Sequence, residues 1–153
     1  MFTIIFPVLN ERLRLENGVT RTVEYLQSIA FEDYEIIIVD NGSEDETPQI
    51  AEKLCKKYDK VRYERINVRG VGAAFRRGVE VSHGDVVGYM DIDLSTNIRH
   101  LGEAIHLFET QPEIQYINGS RFARESDTRG RKWYRRITSV SYTHLTLPTN
   151  SLV

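Results

Sequence analysis

Short apolar runs alternate along the chain with stretches in which hydrophobic residues recur every three or four positions. The first kind is typical of buried strands and covers residues 3–8, 34–39, 61–66, 86–90 and 116–118. The second kind predicts helices over residues 19–29, 47–58, 70–83 and 101–108. Two starts are open for the second helix: a capping box of Ser43 and Glu46, or a first turn at Thr47-Pro48.

This alternation predicts an α/β fold, with a mostly parallel sheet of about five strands and helices on both faces. In such sheets ligands bind outside the carboxyl ends of the strands. Polar residues follow three of the predicted strands, at Asn10-Glu11, at Asp40-Asn41 and at Asp91 with Asp93. We therefore expect a pocket for a nucleotide and a metal ion at this rim, although solvated loops are also often acidic.

The tripeptide Asp91-Ile92-Asp93 is the most informative of these clusters. Residues i and i+2 of an extended strand project to the same side, so both carboxylates are expected to face one divalent cation. Aspartate is disfavoured within strands, so a pair at the end of a strand is unusual and needs an explanation such as metal binding. The alternative is a polar strand end with two solvated acids.

Composition limits the function classes. The chain has 153 residues, 41% of them hydrophobic and 27% charged, with a net charge of −2, which suits one soluble globular domain. A single cysteine, Cys55, excludes an internal disulfide and a cysteine zinc site, and favours a reducing, cytoplasmic compartment. The slight excess of acids argues against a nucleic-acid partner.

Positive charge is concentrated in one segment. Residues 121–136 contain seven Lys or Arg residues but only two acids, Glu125 and Asp127. Such a cluster suits phosphates or a membrane surface, and a solvated loop is the alternative.

Four motifs in register resemble the glycosyltransferases of family 2, which have the GT-A fold. They are Phe6-Pro-Val-Leu-Asn-Glu11, Ile38-Val-Asp-Asn-Gly-Ser43, the segment 67–78, and Asp91-Ile-Asp93. Within that family, Asn118-Gly-Ser-Arg121 and the segment 133–139 are similar to the polyprenyl-phosphate hexosyltransferases, which make dolichyl-phosphate glucose or mannose. The run Asp93-Leu-Ser-Thr96 is closer to the glucosyl branch.

The resemblance implies roles for residues of the donor site. Pro7, Leu9 and Glu11 line the nucleotide site, with Glu11 near the ribose or base. Asp40 accepts a hydrogen bond from the base or ribose.

The resemblance also implies a metal site. Asp91 and Asp93 hold the nucleotide diphosphate through Mg²⁺ or Mn²⁺, with Ile92 between them in the same site and Asp93 in a catalytic role. Ser95 stands where relatives that make dolichyl-phosphate mannose often have a metal-binding Gln, and offers a weaker hydroxyl ligand. Oxygen-only ligands suit hard divalent cations that also bind substrate phosphates.

The implied reaction is inverting, metal-dependent transfer of a hexose from a UDP- or GDP-sugar to a polyprenyl phosphate at the cytoplasmic face of a membrane. The acceptor phosphate is already ionised and needs no general base, but it needs cations beside it. The catalytic Arg121, with Arg135 or Arg136, is expected to supply them. Two alternatives stay open: transfer to a glycan hydroxyl, and nucleotide-sugar binding without catalysis.

The last residues match none of these motifs. Residues 140–153 resemble the conceptual translation of a sequencing adapter, so we expect an incomplete glycosyltransferase portion at residues 1–139 and a non-native tail after it. A sheet cut after its fifth strand exposes apolar surface. We therefore expect the isolated polypeptide to be poorly soluble or inactive.

Overall fold

The structure is a computed structural model and describes residues 1–119. Its four strands form one parallel sheet in the order β3-β2-β1-β4: β1 is Phe2–Val8, β2 is Tyr34–Asp40, β3 is Val61–Arg65 and β4 is Val86–Tyr89. The helices are α1, Leu15–Ser28; α2, Thr47–Lys57; α3, Val71–Val81; and α4, Arg99–Thr110. Backbone contacts group all eight elements in one unit, Met1–Ile114.

Both faces of the sheet are covered, which explains why its central strands are apolar without alternation. On β1 and β2, Ile4, Phe6, Ile36 and Ile38 pack in one core with the apolar residues of α1 and α2. The intervening positions face the other way and pack against α3, in a smaller core that contains Ile5, Ile37, Val39 and Ala74. The predicted α/β architecture is confirmed for this part of the chain.

The order of the strands predicts a crevice beside β1, between β2 and β4. From β1 the chain moves outward to β2 and β3, and then returns through α3 to β4 on the opposite side of β1. Ligands of open α/β sheets bind at such a reversal, outside the carboxyl ends of the strands. The predicted polar rim therefore lies at the expected place in the sheet.

The start of the second helix, for which the sequence left two alternatives, is at Thr47. Pro48 lies in its first turn, and Ser43 accepts a hydrogen bond from the Asn10 N–H at 2.9 Å instead of capping the helix.

The predicted fifth strand at 116–118 is wrong, because residues 114–119 have no regular secondary structure. A strand forms only where a neighbour supplies its hydrogen bonds, and no strand of the described region pairs with this segment.

None of the helices within residues 1–119 is long and apolar enough to cross a bilayer.

Candidate active site

A pocket of about 290 Å³ lies at the carboxyl ends of β1, β2 and β4, beside the start of α3. It gathers predicted site residues from loops that are far apart in the sequence. Its lining consists of Pro7, Val8, Leu9, Glu11, Asn41, Gly70, Val71, Asp91, Ile92 and Asp93. The structure thus brings together Pro7, Leu9, Glu11, Asp91, Ile92 and Asp93, while their individual roles stay predictions.

The acidic tripeptide reaches this pocket by a turn and not by a strand, which corrects the geometry expected from the sequence. β4 ends at Tyr89, and the Leu94 N–H donates to the Asp91 carbonyl at 3.0 Å. Leu94 has φ 50°, a left-handed conformation. A buried side chain between the two acids, Ile92 at 4% exposure, anchors the turn in the core.

A hydrogen bond orients the Asp93 carboxylate. The Ser95 N–H donates to Asp93 Oδ1 at 2.9 Å, and both Asp91 and Asp93 are exposed to solvent. Ser95 does not line the pocket, so its hydroxyl as a metal ligand stays a prediction. The Ser95 backbone N–H, in contrast, holds the Asp93 carboxylate in place.

The donor set of the turn suits a hard cation. Asp91 and Asp93 offer carboxylate oxygens, and residues 1–119 contain no group of three or more His, Cys, Asp or Glu side chains placed to hold a metal ion by themselves. Mg²⁺ and ions like it bind through one or two carboxylates, with waters and substrate phosphates as the other ligands. The residues therefore fit a cation that binds together with a diphosphate.

Asp40 does not share the pocket with the other predicted residues. It is fully buried, and its two carboxylate oxygens accept hydrogen bonds from the Ser43 N–H at 2.7 Å and the Tyr63 hydroxyl at 2.8 Å. Burial, together with the bond to Asp40, raises the pKa of Tyr63 to about 12. Asp40 therefore holds the turn after β2, and its contact with a base or ribose stays a prediction.

The neighbouring residue, Asn41, belongs to the predicted Asp40-Asn41 rim cluster, although the sequence assigned it no role of its own. It is 3% exposed and lines the pocket, yet its Oδ1 atom is buried without a hydrogen-bond partner among residues 1–119. A buried acceptor without a donor costs about 1–3 kcal/mol, unless a ligand supplies the donor. Its position directly after β2 was its signal in the sequence, whereas the burial of Asp40 beside it depends on a contact with the distant Tyr63.

The loop after β1 is tied firmly to the loop after β2. Asn10 adopts φ 54°, and its Oδ1 accepts a hydrogen bond from the Glu44 N–H at 2.9 Å. The Glu11 N–H donates to Thr47 Oγ1 at 2.8 Å. The Glu11 carboxylate, which lines the pocket, forms an ion pair with Arg14 at 2.7 Å. These contacts hold the two loops together on one side of the pocket.

Gly70 and Val71 are further lining residues that sequence reasoning did not assign. The prediction that Gly70 opens α3 is confirmed, and its φ of 137° is a conformation that glycine adopts readily. Two predicted residues, Arg121 and Arg135, lie outside the described residues together with the whole basic segment 121–136. The predicted boundary at 139/140 also lies there, and all of these stay predictions.

Comparison with known proteins identifies the family. The sequence model of Glycosyl transferase family 2 matches residues 3–151. The chain belongs to this family, and its parallel sheet with helices has the GT-A-like α/β architecture. The resemblance drawn from the four motifs is confirmed.

Similar sequences come from archaea and from mammals. The chain is 37% identical over 122 residues to the glycosyltransferase AglD of Haloferax volcanii, covering 78% of this chain and 19% of that protein. It is 34% identical over 145 residues to dolichyl-phosphate beta-glucosyltransferase of Mus musculus, covering 88% and 45%. It is 31% identical over 137 residues to dolichol-phosphate mannosyltransferase of Pyrococcus furiosus, covering 90% and 38%. The chain therefore spans less than half the length of these relatives.

A solved structure agrees on the fold. Glucosyl-3-phosphoglycerate synthase from Mycobacterium tuberculosis, crystallised with Mn²⁺, UDP and glucosyl-3-phosphoglycerate, superposes with a TM-score of 0.56 at 24% identity. The match covers 72% of this chain and 40% of that one.

Proposed function

We propose that this chain carries the donor site of an inverting glycosyltransferase that moves a hexose from a UDP- or GDP-sugar to a polyprenyl phosphate. The observation that carries the proposal is the pocket at the reversal of strand order, which Asp91 and Asp93 line together with Glu11 and Asn41. The relatives support the same reaction class, since they include a dolichyl-phosphate glucosyltransferase and a dolichol-phosphate mannosyltransferase.

Two residues suit the nucleoside. The Asn41 Oδ1 atom has no donor among residues 1–119, and both uracil and guanine carry a ring N–H that could supply one. The Glu11 carboxylate is a hydrogen-bond acceptor for ribose hydroxyls, and Arg14 keeps it in place through their ion pair. Both bases satisfy this chemistry, so the proposal includes UDP-glucose and GDP-mannose as donors.

Asp91 and Asp93 would hold Mg²⁺ or Mn²⁺ against the diphosphate, with Ser95 as an additional ligand through its hydroxyl. The cation would supply charge neutralisation for the departing nucleoside diphosphate. The protein's own contribution is to fix the carboxylates, through the buried Ile92 side chain and the Ser95 N–H bond to Asp93.

The acceptor side of the proposal relies on the basic segment. A polyprenyl phosphate attacks with an oxygen that is already anionic, so the reaction requires cations and not a general base. Arg121 and Arg135 would bring the two anionic substrates together. Because a polyprenyl chain resides in a bilayer, the reaction would occur at a membrane surface, on its cytoplasmic face.

The test is a transfer assay with the full-length protein. Labelled UDP-glucose and GDP-mannose are each supplied with a polyprenyl phosphate in detergent, and the lipid-linked product is separated by extraction. We expect one donor to give product, chelation with EDTA to abolish it, and added Mg²⁺ or Mn²⁺ to restore it.

Other outcomes would replace the proposal. Label transferred to a glycan acceptor and not to the lipid would show an enzyme of a different acceptor class. Metal-dependent binding of UDP or GDP without any turnover would show a binding module. Transfer that is unaffected by EDTA would refute the metal role of Asp91 and Asp93.

A further inference from the structure

Helix α1 and the acidic turn meet at a glycine. A Cβ atom added at Gly18 would collide with the Ile92 carbonyl oxygen and would lie 2.7 Å from Ile92 Cδ1. Only a residue without a side chain allows the helix and the turn to approach this closely. These two residues are 74 positions apart in the sequence, and Ile92 stands between the two acids of the pocket.

Neither partner in this contact can move easily. Around Gly18, the neighbouring Val19 and the nearby Thr22 are fully buried, and the Thr22 hydroxyl donates to the Gly18 carbonyl at 2.9 Å. The Ile92 side chain belongs to the main hydrophobic core. The closest atom to the added Cβ belongs to the backbone, so a change of rotamer would not relieve the collision. The turn itself would have to shift.

We infer that Gly18 is a positioning residue, which sets the placement of Asp91 and Asp93 by letting the Ile92 backbone dock against α1. This inference rests on the proposed function, since it concerns the carboxylates that would hold the cation. Glycine within a helix is less stable than alanine, so its presence at a buried helical position needs a compensating contact. The docked turn is that contact.

A second glycine provides a matched control. Gly78 in α3 is also buried and helical, and a Cβ atom there would lie 2.6 Å from Ile5 Cδ1. This contact involves only the Ile5 side chain, and it lies in the core on the other face of the sheet. Gly78→Ala therefore introduces a comparable steric conflict without touching the acidic turn.

The experiment compares the metal-dependent gain in nucleotide affinity. Titration calorimetry on the full-length protein measures the dissociation constants of UDP and GDP with and without Mn²⁺. The ratio of the two constants reports how well the carboxylates hold the cation, whereas a general loss of stability affects both constants alike. Thermal unfolding of each variant is recorded in parallel, and binding is measured well below each melting temperature.

Gly18→Ala is expected to reduce this ratio by about 10- to 100-fold, the range found when supporting residues of metal ligands are changed. Gly78→Ala is expected to lower the melting temperature but leave the ratio at its wild-type value. Equal ratios in Gly18→Ala and the wild type would overturn the inference, as would an equal fall in both variants.

A further variant covers the case in which Gly18→Ala does not fold. Ile92→Ala removes the buried anchor of the turn, and it is also expected to lower the ratio. If Ile92 also contacts the nucleotide directly, loss of that contact would change the dissociation constants with and without Mn²⁺ by the same factor. The ratio of the two constants would then stay the same. A wild-type ratio in Ile92→Ala would overturn the inference. Absence of Mn²⁺-dependent binding in the wild type would instead refute the proposed function, and the positioning role with it.

Discussion

The two ends of the parallel sheet use the same kinds of residue in opposite ways. At the amino end, the buried carboxylate of Glu35 accepts hydrogen bonds from the Thr3 hydroxyl at 2.7 Å and the His83 N–H at 2.6 Å. Arg62 Nη1 adds a third at 3.0 Å, and His83 Nδ1 lies 3.1 Å away. This cluster ties β1, β2, β3 and the approach to β4 together.

At the carboxyl end, Asp40 is enclosed in a similar way, but other polar groups face the pocket. Asp91 and Asp93 are exposed at the pocket, and Asn41 buries an acceptor that has no donor within the described part of the chain. Buried polar groups in folded proteins are nearly always paired, so an unpaired one beside a pocket indicates a place for a ligand. Strand-end carboxylates therefore differ in kind, because Glu35 and Asp40 are buried within hydrogen-bond networks, whereas Asp91 and Asp93 are exposed at a pocket.

A substitution in the acidic turn is expected to lower activity without changing stability. Asp93→Asn should reduce transfer by about 100- to 1,000-fold, because a neutral amide no longer holds the cation that offsets charge on the leaving group. Unfolding free energy should stay near the wild-type value, since Asp93 is exposed. Steady-state transfer assays and denaturant unfolding of the full-length protein measure the two quantities.

Asp85, which precedes β4, provides a control for this variant. Asp85 has an 88% exposed side chain and pairs with the N-terminal amino group. Asp85→Asn should leave transfer unchanged, because exposed ion pairs contribute little. Equal losses of activity in the two variants would remove the distinction between the ends.

The second prediction reverses this pattern. Glu35→Gln should lower the unfolding free energy by about 2–3 kcal/mol, because it leaves Arg62 and the donors around it without a charged acceptor. This loss of stability is smaller than the loss expected for a fully buried ion pair, since the Arg62 side chain is 35% exposed and water compensates in part. Affinity for UDP or GDP with Mn²⁺ should not change. Urea unfolding checks the first quantity, and a loss of nucleotide affinity would show that the two ends are coupled.

Much of the fold could be predicted from sequence, because it depends on local patterns. Apolar runs located all four strands of the sheet, and Gly70 and Pro48 marked helix starts. The predicted pocket rim followed from the parallel order of the strands. The failed strand at 116–118 shows the limit, since two apolar residues are too short a pattern to specify a strand.

The site was less accessible to sequence reasoning, because its details depend on contacts between distant segments. The burial of Asp40 depends on Tyr63 from β3, which occupies one of its oxygens. The turn at Asp91 depends on docking of Ile92 against Gly18. Neither contact has a periodic signature, so the sequence indicated an acid-rich rim but not which acid is structural.

The third prediction uses pH to isolate the amino end. Burial acts to raise the pKa of Glu35, but the hydrogen bonds from His83, Thr3 and Arg62 outweigh it and lower the pKa from 4.5 to about 2. A carboxyl group with a lower pKa in the folded state stabilises the fold above its unfolded pKa. This contribution is lost as the pH falls from about 5 toward 2, by at most about 1.4 kcal/mol per pH unit.

Urea unfolding of wild type and Glu35→Gln at several pH values checks this expectation. The difference between their unfolding free energies should be constant above about pH 5.5 and should shrink as the pH is lowered toward the folded pKa. A difference that is independent of pH down to the acid limit would mean that the carboxylate charge does not stabilise the amino end.

The last prediction compares two buried polar side chains, Asn41 at the carboxyl end of the sheet and Thr3 at the amino end. Asn41→Leu removes an acceptor that has no donor in residues 1–119, so the unfolding free energy should stay within about 1 kcal/mol of wild type, while nucleotide affinity falls about fivefold to tenfold. Thr3→Val, at the amino end, removes a fully buried hydroxyl that donates to Glu35 and accepts from the Gly84 N–H at 3.0 Å. It should cost about 1–2 kcal/mol of stability and leave nucleotide affinity unchanged. Denaturant unfolding and titration calorimetry give both values for each variant. If Asn41→Leu destabilised the protein as much as Thr3→Val and bound nucleotide normally, the Asn41 acceptor would be structural, and the two ends of the sheet would differ in their carboxylates alone.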